Sequence, residues 1–195
     1  MKYLPILLLS MPAMADSYHQ FSFRYQDGEK LSDLDSSNLV GFGFKAKRQF
    51  GDVFYLASVH HQQGGDTDQL GFEAGLGYQF DRSSISYVYF GETLHEYWGD
   101  TENSKGAPVR AKDTDWRQLH RIVIDYNFDY VDLGYSFSYN DKHGHKYQHG
   151  LFIKAKYAVN ENYSVFLKAT HYPTYKFNNK WLEAPLFQLG FEYKL

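Results

Sequence analysis

From Leu70 to Phe80 an apolar residue stands at every second place: Leu70, Phe72, Ala74, Leu76, Tyr78 and Phe80, with Gly71, Glu73, Gly75, Gly77 and Gln79 between them. Val131, Leu133, Tyr135, Phe137 and Tyr139 repeat the pattern against Asp132, Gly134, Ser136, Ser138 and Asn140. The last residues do so again, with Phe187, Leu189, Phe191, Tyr193 and Leu195 set against Gln188, Gly190, Glu192 and Lys194. A period of two predicts strands, because successive side chains of an extended chain point to opposite faces. The same test predicts ten strands, at 18–26, 38–50, 52–61, 68–80, 84–95, 116–128, 130–140, 147–159, 163–172 and 185–195. In the third, Phe54 and Leu56 compete with Val53, Tyr55, Ala57 and Val59 for the apolar face, and the second set is expected outward.

The connections alternate in length. Gly51-Asp52, Asp81-Arg82-Ser83, Asp129 and Asn160-Glu161-Asn162 are tight, whereas 27–37, 62–67, 96–115, 140–146 and 173–184 are longer and polar. Short turns on one rim and longer loops on the other are the layout of a transmembrane β-barrel, with the short side periplasmic. A soluble barrel also alternates, but it must fill its interior. The polar face of the fourth strand holds three glycines and two polar residues, too little to pack a dry core. The expected fold is therefore all-β, an antiparallel up-and-down transmembrane barrel with lipid outside and a polar lumen. Ten strands are expected, with eight strands and one hairpin outside the barrel as the alternative.

The start of the chain agrees with export. Lys2, an apolar run from Tyr3 to Pro12 and the small-residue pattern Ala13-Met14-Ala15 read as a signal peptide over residues 1–15. The run is about half the roughly 20 residues that a helical anchor requires. The mature chain would be one barrel domain, 16–195. With no cysteine it has no disulfide framework, and a formal net charge of −3 argues against a nucleic-acid partner. Aromatic residues make up 19 % of the chain although mean hydropathy is −0.55. That combination suits a barrel, in which only alternate residues meet lipid and rings gather at both interfaces. Phe50, Phe80, Phe128, Tyr163 and Tyr193 are expected at the periplasmic girdle. Tyr25, Tyr97, Trp98, Trp116, Tyr139, Tyr172 and Trp181 are expected at the outer one.

With Phe187, Leu189, Phe191 and Tyr193 at alternate places, the last strand resembles the C-terminal strand of Gram-negative outer-membrane barrels, except that it ends in Leu195. As a layout the whole mature chain is similar to small outer-membrane β-barrel and porin-like proteins. The resemblance implies residence in the outer membrane of a Gram-negative bacterium, with membrane lipid and lipopolysaccharide as neighbours. It also implies assembly by the barrel-assembly machinery. It implies no substrate.

Candidate chemistry lies on the polar face. Arg24, Lys45, Lys47, Arg121, Lys154, Lys156, Lys168 and Lys194 are expected in the lumen with Glu73, Glu92, Asp125, Asp132 and Glu192. Eight basic residues against five acidic ones would favour small anionic solutes, as rings of Lys and Arg do in pores. A barrel this narrow also favours a plugged or nearly closed lumen over an open pore. His60, His61, His95, His120, His143, His145, His149 and His171 all fall in the extracellular half. Of these, His143, His145 and His149 form the densest cluster, a candidate divalent-metal site whose spacing matches no established zinc pattern. No cofactor is expected.

The leading expectation is a non-enzymatic outer-membrane barrel, either structural in the envelope or a narrow porin-like channel with a net basic lumen. The alternative is a surface module binding a metal, glycan or host molecule through its His- and aromatic-rich loops. A rim hydrolase ranks third. Omptin proteases place Asp and His at the rim of ten-stranded barrels, but no stretch here matches their motifs. Ser136 and Ser138 lie in no Gly-x-Ser-x-Gly elbow.

Overall fold

The fold is described from a computed structural model, for residues 17–26, 38–64, 67–102, 108–139, 147–171, 176–177, 180–181 and 185–195. The expected signal peptide lies outside them. Nine strands, β1 (Tyr18–Gln26), β2 (Leu39–Phe50), β3 (Val53–Gly64), β4 (Thr67–Phe80), β5 (Ser83–Glu102), β6 (Pro108–Asn127), β7 (Val131–Tyr139), β8 (Tyr147–Ala158) and β9 (Tyr163–His171), are followed by a last strand, Leu186–Lys194. Each pairs antiparallel with its chain neighbours, and the last strand also pairs with β1, so ten strands close into an up-and-down barrel. The seam is in full register, with Gln20 opposite Glu192 and Phe21 opposite Phe191. Closure leaves no unpaired sheet edge, which lipid would not tolerate. The eight-strand alternative is thus excluded. A small hairpin, Lys176–Phe177 with Lys180–Trp181, lies in the last long connection and outside the barrel sheet.

The short connections make the turns that such a layout needs. Gly51, Asp81 and Asp129 adopt left-handed backbone, with φ of 59°, 46° and 68°. Positive φ matches the twist of the flanking strands in tight hairpins, and Gly, Asp and Asn accept it at least cost. One connection departs from expectation. The stretch 96–115, expected as a loop, is largely ladder: β5 continues to Glu102 and β6 begins at Pro108, with Tyr97 opposite Lys112 and a register shift between Trp98 and Asp100. Ladder pairing is made by backbone groups, so a ribbon can form where the sequence shows no strand period.

The alternation sorts the side chains as expected outside. Phe42, Val59, Leu70, Leu76, Leu151, Leu167 and Leu189 are exposed large apolar residues, Leu76 to 64 %. So continuous an apolar belt is incompatible with water and suits hydrocarbon. Aromatic pairs mark its short-turn end: Tyr78 with Phe80 at 4.7 Å, Tyr126 with Phe128 at 4.5 Å and Tyr163 with Tyr193 at 4.8 Å between ring centres. In β3 Val53 and Val59 face out while Phe54 and Leu56 are buried within.

The interior also holds large apolar residues beside its polar set. Phe54, Leu56, Val88, Phe90, Leu119 and Phe166 are buried there, and Phe54, Leu56 and Val88 pack as one cluster with Val123 against it. These large groups fit because neighbouring strands present glycine to them. A Cβ on Gly77 would fall 2.2 Å from the Phe54 ring, and one on Gly134 would fall 2.0 Å from the Phe152 ring. Glycine spacing therefore reflects rings laid across the adjacent strand, a device that also permits sharp curvature. Gly134→Val is expected to destabilise the barrel by about 1–3 kcal/mol through overpacking, and Phe152→Ala in the same chain to restore most of it. Urea unfolding in detergent, followed by heat-modifiable gel mobility, checks this; equal instability of single and double variants would refute it.

Candidate lumen site

The residues facing inward enclose a cavity of about 670 Å³. Its lining runs from the short-turn residues Asp81, Asp129 and Asn162 to Gln26, Gln69 and Leu186 near the other end. Alternation on every strand turns the polar set inward, so charges from distant parts of the chain meet here. All eight basic and five acidic residues named above line it. The short turns add Arg82 together with Asp81, Asp129 and Glu161.

Most of these charges are neutralised locally. Arg121 Nη1 donates to Glu73 Oε1 at 3.0 Å, its Nε to Ser138 at 3.2 Å, and Ser58 donates to the other Glu73 oxygen at 3.1 Å. The guanidinium lies 5.0 Å from the Phe90 ring centre. Lys154 meets Glu192 at 2.5 Å and Gln20 at 3.3 Å, and Lys156 meets Asp132 at 2.9 Å. Ser84 donates to Asp125 at 2.8 Å, Lys47 to Gln79 at 3.3 Å, and Arg24 Nε to Gln62 at 3.0 Å. Burying a charge is costly without such partners.

Two cations differ. Lys45 on β2 and Lys168 on β9 form no ion pair with any described residue. The Lys168 ammonium rests 4.2 Å from the centre of the Phe152 ring, and it feels Lys45, Glu73, Lys154 and Arg24 electrostatically. Unneutralised positive charge in the cavity is what attracts an anion. Lys194 stands at the short-turn end of the lining, beside the chain terminus.

Toward the long-loop end lies a cluster that reading the chain in one dimension did not isolate. His60 Nε2 is 3.2 Å from Glu92 Oε1, and Gln69 Nε2 donates to the same oxygen at 2.6 Å. His60 and Glu92 are only 4 % and 3 % exposed. The imidazole lies against Gly71, where a Cβ would come within 2.2 Å of its ring, and stacks on Phe90 at 5.9 Å. The signal was present in the alternation, since His60 shares parity with Phe54 and Leu56, but which residues it would meet depended on register across three strands.

The other histidines are placed differently. His149 is exposed on the outer face, where the Tyr135 hydroxyl reaches its Nδ1, and it packs edge-on to Phe137. His120 repeats that arrangement with Tyr87 and Tyr89. His143 and His145 lie outside the described residues, and among the described residues no group of three metal-ligating side chains occurs. Ser136 and Ser138 face the lumen; Ser138 accepts from Arg121.

No family model and no curated protein matches the chain. Among solved structures, the outer membrane protease OmpT from Escherichia coli is similar with a TM-score of 0.52 at 9% identity, covering 96% of this chain and 100% of that one. The translocator domain of the autotransporter NalP from Neisseria meningitidis gives 0.48 at 7% identity, covering 100% and 93%. The KdgM porin in complex with disordered oligogalacturonate gives 0.46 at 14% identity, covering 91% and 99%. Identities this low speak to fold alone. Together with the closed ten-strand sheet and its apolar belt, the first of them establishes that the chain has the fold of outer-membrane β-barrels.

Proposed function

We propose that the protein is a non-enzymatic, narrow porin-like channel of the Gram-negative outer membrane whose lumen favours small anions. The observation that carries this is the cavity running from the short turns toward the long-loop end, with Lys45 and Lys168 in its wall and no carboxylate paired to either among the described residues. Water-filled space supplies the path and unneutralised charge supplies the preference. The buried His60 and Glu92 side chains occupy part of the inward face toward the long-loop end, so passage is expected to be restricted to small solutes.

Planar-bilayer recording of refolded protein tests the proposal. Discrete conductance steps are expected, with a reversal potential in a salt gradient on the anion side. No steps, or cation preference, would overturn it.

A further inference from the structure

The lumen cations are not spread evenly around the wall. Closure of the seam sets β1 and β2 beside the last strand, β9 and β8. Those five adjacent strands carry seven of the eight cations named above and one of the five carboxylates, Glu192. The other half, β3 to β7, carries the remaining four carboxylates and Arg121. Within the basic arc Lys154 is held by Glu192 and Gln20, and Lys156 by Asp132. Lys45 and Lys168 are the half-buried pair left without a described carboxylate, and Lys45 is the charge that Lys168 feels most strongly. The Phe152 ring, 4.2 Å from the Lys168 ammonium, holds that cation in place without neutralising it. Gln188 stands in register between Lys168 and Arg24, with no side-chain hydrogen bond to a described residue. Glu73 faces both lysines from β4, but Arg121 and Ser58 occupy its two oxygens.

We propose that Lys45 and Lys168 form a seat for one small doubly charged oxyanion, of the sulfate or phosphate type, with the Gln188 amide as a further donor. Two like charges in a poorly hydrated wall repel, and an anion that engages both relieves the repulsion. A doubly charged oxyanion accepts charge-assisted hydrogen bonds from both ammoniums at once, whereas chloride offers the pair a single charge. Neither lysine has to leave a described carboxylate to bind it. The selection is by charge number, which a passage sorting by size alone would not show. The seat rests on the proposed anion path and names what that path selects.

Isothermal titration calorimetry of the refolded protein in neutral detergent, with sodium sulfate added at constant chloride, tests the seat. Saturable binding of one sulfate per barrel is expected. Lys45→Gln and Lys168→Gln should each weaken it about tenfold, whereas Lys47→Gln, at a lysine that reaches Gln79 and the Phe54 ring, should leave it within about threefold. Heat-modifiable mobility shows that each variant barrel is closed. In planar bilayers sulfate should lower the chloride conductance over the same concentrations, and the two weakened variants should escape that block. No saturation in the wild type, or undiminished affinity in Lys45→Gln and Lys168→Gln, would overturn the seat. Anion-preferring conductance without sulfate binding would keep the path and remove the seat, and sulfate binding without conductance would keep the seat and remove the path.

Discussion

Replacing Lys45 and Lys168 together by Glu should turn an anion-preferring conductance into a cation-preferring one. Both side chains line the cavity and neither is committed to a described carboxylate, so their charge acts on passing ions and not on a partner. The remaining strand-borne cations are largely spent, with Arg121, Lys154 and Lys156 each held by Glu73, Glu192 or Asp132. Replacing both lysines by carboxylates removes the positive charge they carry and adds two negative groups to the wall. In a narrow, poorly screened passage that is enough to change the sign of the local potential. Lys45→Gln with Lys168→Gln should stop at near neutrality. Reversal potentials in a salt gradient read the effect directly, and an unchanged value in the Glu variant would show that selectivity is set elsewhere.

The second large effect concerns stability. Arg121→Met should cost about 1–3 kcal/mol, because it leaves half-buried Glu73 with its main counter-charge gone. The pair bridges β6 and β4 across β5, and its guanidinium also serves Ser138, so one substitution disturbs three inter-strand ties. Adding Glu73→Leu should recover most of the loss, since a buried pair replaced as a unit by apolar groups is often close to neutral. Urea unfolding in detergent, followed by tryptophan fluorescence, separates the cases. A double variant as unstable as the single one would mean that the cost lies in packing against Phe90 and not in the orphaned carboxylate.

The girdles and the inner network differ in how far they could be read from the chain. Tyr163 and Tyr193, or Tyr126 and Phe128, announce themselves as aromatic residues at the ends of alternating runs. Their pairing needs only the hairpin or seam that joins them. Glu73 and Arg121 are separated by 48 positions, and nothing in either segment says that they meet. The same holds for Lys154 and Gln20, which are 134 positions apart and are brought together by closure of the seam. The ribbon formed by the ends of β5 and β6 escaped notice for the opposite reason: its backbone pairing is carried by a stretch with no alternation to detect.

Periodicity by itself determined the architecture. A side chain's face follows from the parity of its position, and that rule needs no partner, so strand count, inward and outward sets and the alternation of short and long connections were all legible. Tertiary structure alone decided what the inward set became. Register around the closed sheet laid Phe54 on Gly77 and Phe152 on Gly134, paired most of the lumen charges, and left Lys45 and Lys168 without a described carboxylate. It also set the cations of β1 and β2 beside those of β8 and β9 by closing the seam. Facing is a property of one strand, whereas neutralisation and close packing belong to several strands at once.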